Sequence, residues 1–135
     1  MRFMVMAITT KDSEAGPPPK PEALVAMQKY NEAAVKAGVL LAAEGLTPTS
    51  KGARVEFSGD ERLVIDGPFA ESKELVAGFM IIKVNSREEA IEWVKRAPNV
   101  SQTGKGLVEI RKLMDVEDFG EGFKPNPEIA KVKFK

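Results

Sequence analysis

The chain has 135 residues, 43% of them hydrophobic, which is enough apolar material to close one domain core without disulfides or metals. Twenty basic and twenty acidic side chains cancel, so no net charge recruits a partner, and we expect neither nucleic-acid nor membrane binding. The absence of cysteine and histidine excludes disulfides, thiolate chemistry, a Ser-His-Asp triad and a histidine metal site, so we expect no metal and no cofactor.

The N-terminal region begins with a continuous apolar run at residues 3–9, typical of a strand buried on both faces. This run is too short for a signal sequence or a bilayer span, which predicts a soluble cytoplasmic protein. Four prolines follow between positions 17 and 21. Because proline lacks an N–H donor, residues 11–21 are predicted to be an extended surface loop and not a helix, acting as a stiff connector or as a lid over a cleft.

The next region predicts a helix, a strand and a hairpin. Apolar residues at helical spacing predict a helix from Pro21 or Glu22 to Ala37, and Gly38 is suited to end it. Residues 39–43 predict the second strand. Residues 53–57 and 62–65 then alternate around a Gly-Asp turn, which predicts a small two-stranded insertion.

The second half repeats the strand and helix pattern. Residues 78–84 predict a buried strand. Ser86, followed three residues later by Glu89, is a capping box that opens a helix ending at Pro98. Residues 107–113 alternate apolar and charged side chains and predict a half-exposed last strand. The polar tail at 115–135, with its scattered phenylalanines, is predicted to pack on the domain or on a partner subunit.

Without the hairpin, the predicted order is βαββαβ, the ferredoxin-like α+β arrangement in which both helices cover one face of a four-stranded antiparallel sheet. The first strand has apolar residues pointing to both faces. A second subunit is the simplest cover for the remaining face, so we expect a homodimer that buries more than roughly 1,000 Å².

A motif carries a family resemblance. Asp66 to Glu74 reads DGPFAESKE and resembles the DGPF motif of the DGPF branch of the YCII-related proteins. Further blocks are similar to that family, namely Ala37-Gly38, EGLTP at 44–48, EAIEW at 89–93 and VEIR at 108–111. The resemblance covers residues 1–114 and implies a ferredoxin-like subunit of a dimeric α/β barrel, with a cleft between the sheet and the partner.

The resemblance implies little about activity. The broader YCII group uses a His-Asp pair as its catalytic centre. In this chain the helix that would carry the histidine has Met27, Gln28 and Tyr30, and Ala97 stands where the acid would precede Pro98. The His-Asp pair therefore cannot be assigned to this chain, and its catalytic residues stay unknown.

The DGPF segment has two interpretations. In the structural one, Asp66 accepts hydrogen bonds from the following backbone amides, Gly67 permits an unusual φ, and Pro68 fixes the exit of the turn. Asp66→Ala is then expected to cost about 0.5 to 2 kcal/mol. In this interpretation Phe69 fills an edge of the core, and residues 71–74 form a solvated surface run.

In the functional interpretation, Lys73 and Arg111 bind a carboxylate or enolate, and Glu71 or Asp66 acts as a base whose pKa is raised by burial. The candidate ligand-binding residues are Asp66, Phe69, Glu71, Lys73, Glu44 and Arg111.

Three functions follow from these residues. The first is a small-molecule-binding or regulatory homodimer for a hydrophobic or carboxylate ligand. The second is a metal-independent enzyme, of the isomerase, lyase or monooxygenase-like type, acting on a hydrophobic acid. The third is a purely structural interaction module, which a cleft filled by Phe119 or Phe123 would favour. We predict that no two candidate residues are buried together in a water-excluding pocket, and therefore a binder.

Overall fold

The computed structural model describes residues 1–69, 73–101, 104–130 and 132. The described residues form six strands, β1 (Arg2–Thr9), β2 (Leu40–Gly45), β3 (Ala53–Ser58), β4 (Glu61–Asp66), β5 (Leu75–Lys83) and β6 (Leu107–Lys112). Their helices are α1 (Lys11–Ala15), α2 (Pro21–Lys36), α3 (Arg87–Lys95) and α4 (Pro127–Ala130). Short 3-10 turns occur at Thr49–Lys51 and Val116–Phe119. No helix among the described residues is both long enough and apolar enough to cross a lipid bilayer.

The main sheet has the strand order β2-β5-β1-β6, and every neighbouring pair is antiparallel. This order, with α2 between β1 and β2 and α3 between β5 and β6, is consistent with the predicted ferredoxin-like α+β fold, to which the short α1 is an addition. Strands β3 and β4 form the predicted hairpin as a separate two-stranded sheet. The four-stranded sheet is open, with β2 and β6 at its edges, so the dimeric barrel stays a prediction.

Helices α2 and α3 pack together on one face of the sheet. The core cluster on that face contains Phe3, Val5, Val39, Ile82, Val84 and Ala90. Tyr30 of α2 donates its hydroxyl to the Trp93 carbonyl of α3 at 2.7 Å, and the two rings meet edge to face at 6.4 Å. Burial raises the pKa of Tyr30, an effect that the Arg96 guanidinium partly opposes. Tyr30 thus joins the two helices, and its hydroxyl already has a partner.

The start of α3 agrees with the predicted capping signal. The Ser86 hydroxyl accepts the Glu89 N–H at 3.1 Å, and the Glu89 carboxylate accepts the Asn85 N–H at 3.0 Å. Strand β5 begins three residues before the predicted start at Gly78, because Leu75 still pairs with Thr9 at the end of β1. Long-range pairing, which local patterns do not encode, sets this boundary.

The prediction that residues 11–21 contain no helix is wrong for the first five of them. Thr10 accepts the Ser13 N–H at 3.2 Å and caps α1, which ends before Gly16 and the prolines. The prolines therefore remove no helical hydrogen bond. Residues 16–20 have neither helical nor strand structure, as predicted.

The tail leaves β6 through a small ionic cluster. The Lys112 ammonium lies 3.0 Å from both Asp115 and Asp118, and its bonds to Asp118 and Asp115 raise its pKa. The pKa of Asp118 is lowered, first by the Asp115 backbone N–H and then by Lys112. The stabilising contribution of Asp118 is therefore present above its ordinary pKa of 3.8 and is lost as the pH falls through the lowered value.

Beyond that cluster residues 119–129 are exposed. Phe119 and Phe123 stack on each other, with ring centroids 4.4 Å apart, and both remain exposed. Packing of the tail on a partner subunit stays a prediction.

Candidate functional site

The sheet face opposite the helices carries a mixed apolar and charged surface. Side chains of directly paired antiparallel residues point to the same face. Met4 pairs with Ile81 and Arg111, and Met6 pairs with Phe79 and Glu109. On β2, Ala42 pairs with Ile81 and Glu44 with Phe79. We call the surface made by Ala42, Glu44, Phe79, Ile81, Met4, Met6, Glu109 and Arg111 the open face.

The open face has an apolar centre and charged margins. Ile81 on the central strand β5 is only 1% exposed, and Met4, Met6 and Phe79 around it are half-buried. The charged side chains lie on the edge strands, with Glu44 on β2 and the Glu109 and Arg111 pair on β6, and all three are exposed. Small-molecule sites combine such an apolar floor and a few polar groups within a concave pocket, so the open face needs a second surface above it to form one.

The DGPF turn is held against the 3-10 turn at 49–51. The Gly67 N–H donates to the Gly52 carbonyl at 3.0 Å, and the Gly67–Pro68 peptide bond is cis. A Cβ atom built on Gly67 would overlap the Thr49 carbonyl oxygen and lie 2.6 Å from its carbonyl carbon. Glycine is therefore required here for close backbone approach, whereas the sequence had suggested an unusual φ, and Gly67 is absent from the glycines with positive φ.

Thr49 and Gly52, and not Asp66, accept the amide hydrogen bonds of Phe69 and Gly67. The Thr49 hydroxyl donates to the Glu14 carboxylate at 2.6 Å and accepts the Phe69 N–H at 3.4 Å. Because the Gly67 and Phe69 amides donate to Gly52 and Thr49, and Pro68 has no N–H, Asp66 does not cap these three positions. Local sequence gave no signal for the bond between Thr49 and Glu14, which joins residues 35 positions apart.

Phe69 is half-buried at the base of the hairpin. The Arg54 guanidinium of β3 lies 4.0 Å from the centroid of its ring. This cation-π contact occupies one face of the ring and favours the structural role of Phe69 over stacking on a ligand.

The remaining candidates lie at separate positions on the described chain. Arg111 lies opposite Met4 in the register of β1 with β6. Leu75 lies opposite Thr9 in the register of β1 with β5, and Lys73 precedes Leu75 by two residues. Five residues along β1 correspond to about 16 Å, so Lys73 and Arg111 do not converge within one subunit. Glu44 and Arg111 share the open face, but three strand spacings separate them by roughly 14 Å. Glu71 lies outside the described residues.

A groove of about 730 Å³ lies on the helix side of the sheet, between the start of α3 and the edge strand β6. Ser86, Glu88 and Ile91 line it on the helix side, and Val108 and Ile110 line it on the strand side. None of the described candidate residues, and neither Phe119 nor Phe123, is among its lining residues.

We expect Thr49→Val to destabilise the fold by about 1 to 3 kcal/mol, because the Glu14 carboxylate and the Phe69 N–H lose their partner. Asp66→Ala is the matched comparison in the same turn, and we now expect it to change stability by less than about 0.5 kcal/mol. Urea unfolding of both variants measures the difference. If Asp66→Ala loses more unfolding free energy than Thr49→Val, Asp66 stabilises the turn as first predicted.

Comparison with known proteins assigns the chain to a family. The model of the YCII-related domain matches residues 1–117. The chain belongs to the YCII-related domain family. The chain is similar in sequence to an "uncharacterized protein" of Rhizobium meliloti (strain 1021). The two are 38% identical over 79 residues, which make up 58% of this chain. The match spans 63% of that relative's length.

This YCII-related chain has no histidine, so the predicted departure from a His-Asp centre holds for the whole sequence. The hydroxyl of Tyr30 in α2 bonds the Trp93 carbonyl, and Tyr30 is buried. Within the described ranges, no three acidic side chains group as metal ligands would.

Proposed function

We propose that this YCII-related protein is a small-molecule-binding homodimer whose ligand lies between the open face and the partner subunit. The observation that carries the proposal is the open face itself. Its centre, Met4, Met6 and Phe79, is apolar and still partly accessible to solvent, while α2 and α3 both pack on the opposite face. Apolar area left accessible in a sheet centre is stabilised by contact with a partner or a ligand.

The charges on the open face favour an amphipathic acid as the ligand. Arg111 presents a guanidinium, which can bind a carboxylate through two parallel hydrogen bonds. Met4 is its neighbour on β1 and Met6 lies one pair further along, so the apolar part of the ligand would cover these side chains. Glu44 lies too far from Arg111 for one small carboxylate to contact both, and it would face the other end of a longer ligand or the partner.

Two features support a binder over the enzyme and the structural module. Asp66, Lys73, Glu44 and Arg111 are all exposed in the described chain. Without histidine or cysteine, acid-base catalysis near neutral pH needs a carboxylate or lysine whose pKa is shifted by burial beside a chosen neighbour. The structural module was tied to Phe119 or Phe123 filling a cleft, whereas these two rings stack on each other.

A thermal-shift series with aromatic and aliphatic carboxylic acids tests the proposal, with the matching amides as controls. A ligand at 100 times its dissociation constant adds about 2.7 kcal/mol, which for a chain of this size raises the melting midpoint by about 10 °C. We expect Arg111→Gln to weaken binding about tenfold or more, because the carboxylate loses its charged partner.

Arg87→Gln is the control for that variant, since Arg87 is an exposed arginine at the start of α3, on the other side of the sheet. Equal shifts with acids and amides, or equal binding by Arg111→Gln and Arg87→Gln, would contradict the assignment of Arg111. If no carboxylic acid shifts the melting midpoint, the proposed ligand class is wrong.

A further inference from the structure

The β3–β4 hairpin carries an apolar surface of its own. Val55 pairs directly with Val64, and Phe57 lies two residues further along β3, so the three side chains share one face. Their exposed fractions are 49%, 63% and 69% for Val55, Val64 and Phe57. We call these three residues the hairpin patch. All twelve residues of the two strands are exposed. Arg62, which is paired with Phe57, places its guanidinium 4.3 Å from the centroid of the Phe57 ring, so a charged side chain borders the patch on the same face while the patch stays accessible to solvent.

The base of the hairpin is fixed to the domain. Gly67, directly after β4, bonds the Gly52 carbonyl directly before β3, and the same glycine packs against Thr49. Arg54 of β3 lies on the Phe69 ring. The hairpin is thus held at its base, while its strands of six residues extend about 20 Å with both faces exposed to solvent. A two-stranded hairpin has little stability of its own in water, so this arrangement suggests that a partner covers it.

The area of the open face argues for a second copy of the chain as the partner that covers the hairpin patch. Four strands at about 4.8 Å spacing and seven residues at about 3.3 Å give a face of roughly 450 Å² per subunit. A stable dimer buries about 800 Å² per subunit, so the open face alone supplies little more than half of that area. The hairpin patch is an exposed apolar surface that can add to it, and it carries the large Phe57 ring, whereas the opposite face of the hairpin exposes Leu63 and Ile65 beside Glu56 and Arg54. In a two-fold dimer the contact occurs twice, once for each hairpin.

We infer that the hairpin patch packs against the partner subunit and completes the interface begun by the open face. The inference rests on the proposed homodimer and extends it, since it assigns the hairpin insertion a role as a dimerisation arm. A few large side chains contribute most of the affinity of an interface, so Phe57, the largest and most exposed residue of the patch, is expected to be its most important residue.

Sedimentation of the full chain over a concentration series tests the inference. In the double variant Phe57→Thr/Val64→Thr, threonine retains strand preference while removing apolar surface. We expect its dimer dissociation constant to rise at least tenfold. The control is Val35→Ser, which removes a side chain of similar exposure (59%) from the outer face of α2, where valine and serine have similar helix propensity. We expect the control to dimerise as the wild type does.

The outcomes separate this inference from the proposal beneath it. A monomeric wild type would overturn both. A dimeric wild type with unchanged dimerisation of the hairpin variant would overturn only the arm, and the open face would remain as the interface.

A second measurement does not depend on weakening the dimer. The chain contains no cysteine, so Val64→Cys introduces a single thiol in the hairpin patch. We expect this thiol to react with a maleimide at least tenfold more slowly at concentrations where the dimer forms than after dilution to the monomer. Equal reaction rates at both concentrations would overturn the inference. Val35→Cys, on the outer face of α2, provides the reference rate.

Discussion

Gly67→Ala is expected to lower the free energy of unfolding by about 3 kcal/mol, which is a large part of the stability of a domain of this size. The added Cβ would overlap the Thr49 carbonyl oxygen and lie 2.6 Å from its carbonyl carbon. The obstacle is backbone, which cannot rotate away as a side chain would. Relief requires moving the turn at 49–51 or breaking the 3.0 Å bond from the Gly67 N–H to the Gly52 carbonyl.

The control for this substitution is Gly52→Ala in the facing segment. A Cβ on Gly52 would lie 3.5 Å from the Thr49 carbonyl oxygen, which is ordinary contact, and its φ of −108° suits any residue. We expect this variant to be neutral or more stable by up to about 1 kcal/mol, since alanine restricts the unfolded chain. Urea unfolding compares the two, and equal midpoints would show that the turn relaxes around a methyl group.

Met6→Glu is expected to convert the proposed homodimer into a folded monomer. Met6 lies at the centre of the open face, between Phe79 and Glu109, so the new carboxylate would stand directly opposite an existing one. Neither residue paired with position 6 offers a cation or a hydrogen-bond donor, so burying the carboxylate against a partner costs about 4 kcal/mol, or roughly a thousandfold in the dimer dissociation constant. In the monomer the glutamate can reach solvent, because Met6 is only half-buried there.

Val108→Glu provides the comparison for Met6→Glu. Val108 lies on the neighbouring strand β6 and points to the other face of the sheet, where it is exposed. The Val108→Glu substitution introduces the same charge into the same sheet but on the opposite face, so we expect this variant to remain a dimer. Light scattering at micromolar concentration distinguishes the two variants. If Met6→Glu remains dimeric, the open face is not the interface.

Much of the fold was predictable from local sequence. The serine and glutamate before α3 act three residues apart, so the capping signal marked the start of that helix. The alternation around Gly59 predicted the hairpin because strand pairing through a tight turn is also a local event. The motif at 66–69 indicated the family, and the family model then matched residues 1–117.

The candidate site was less predictable, because its contacts join distant parts of the chain. Lys73 and Arg111 were predicted to act together on one carboxylate, yet the register of β1 with β5 and β6 separates them along the sheet. The open face follows from the same register, which brings Glu44 and Arg111 to one surface on opposite edges. A pattern within one segment shows which side chains alternate and cannot show what lies opposite them.

The DGPF turn shows which properties local sequence determines and which depend on the tertiary structure. The sequence by itself determined that the chain bends directly after Asp66, the last residue of β4, because glycine and proline restrict the local backbone whatever surrounds them. Only the tertiary structure decided what stabilises this turn. The Gly52 carbonyl and the Thr49 hydroxyl, both outside the motif, accept the amide hydrogen bonds expected of Asp66, and Glu14 accepts the Thr49 hydroxyl. Gly67 is required by the approach of the Thr49 backbone. Backbone preference is a local property, whereas hydrogen-bond partners and close contacts depend on which segments the sheet brings together.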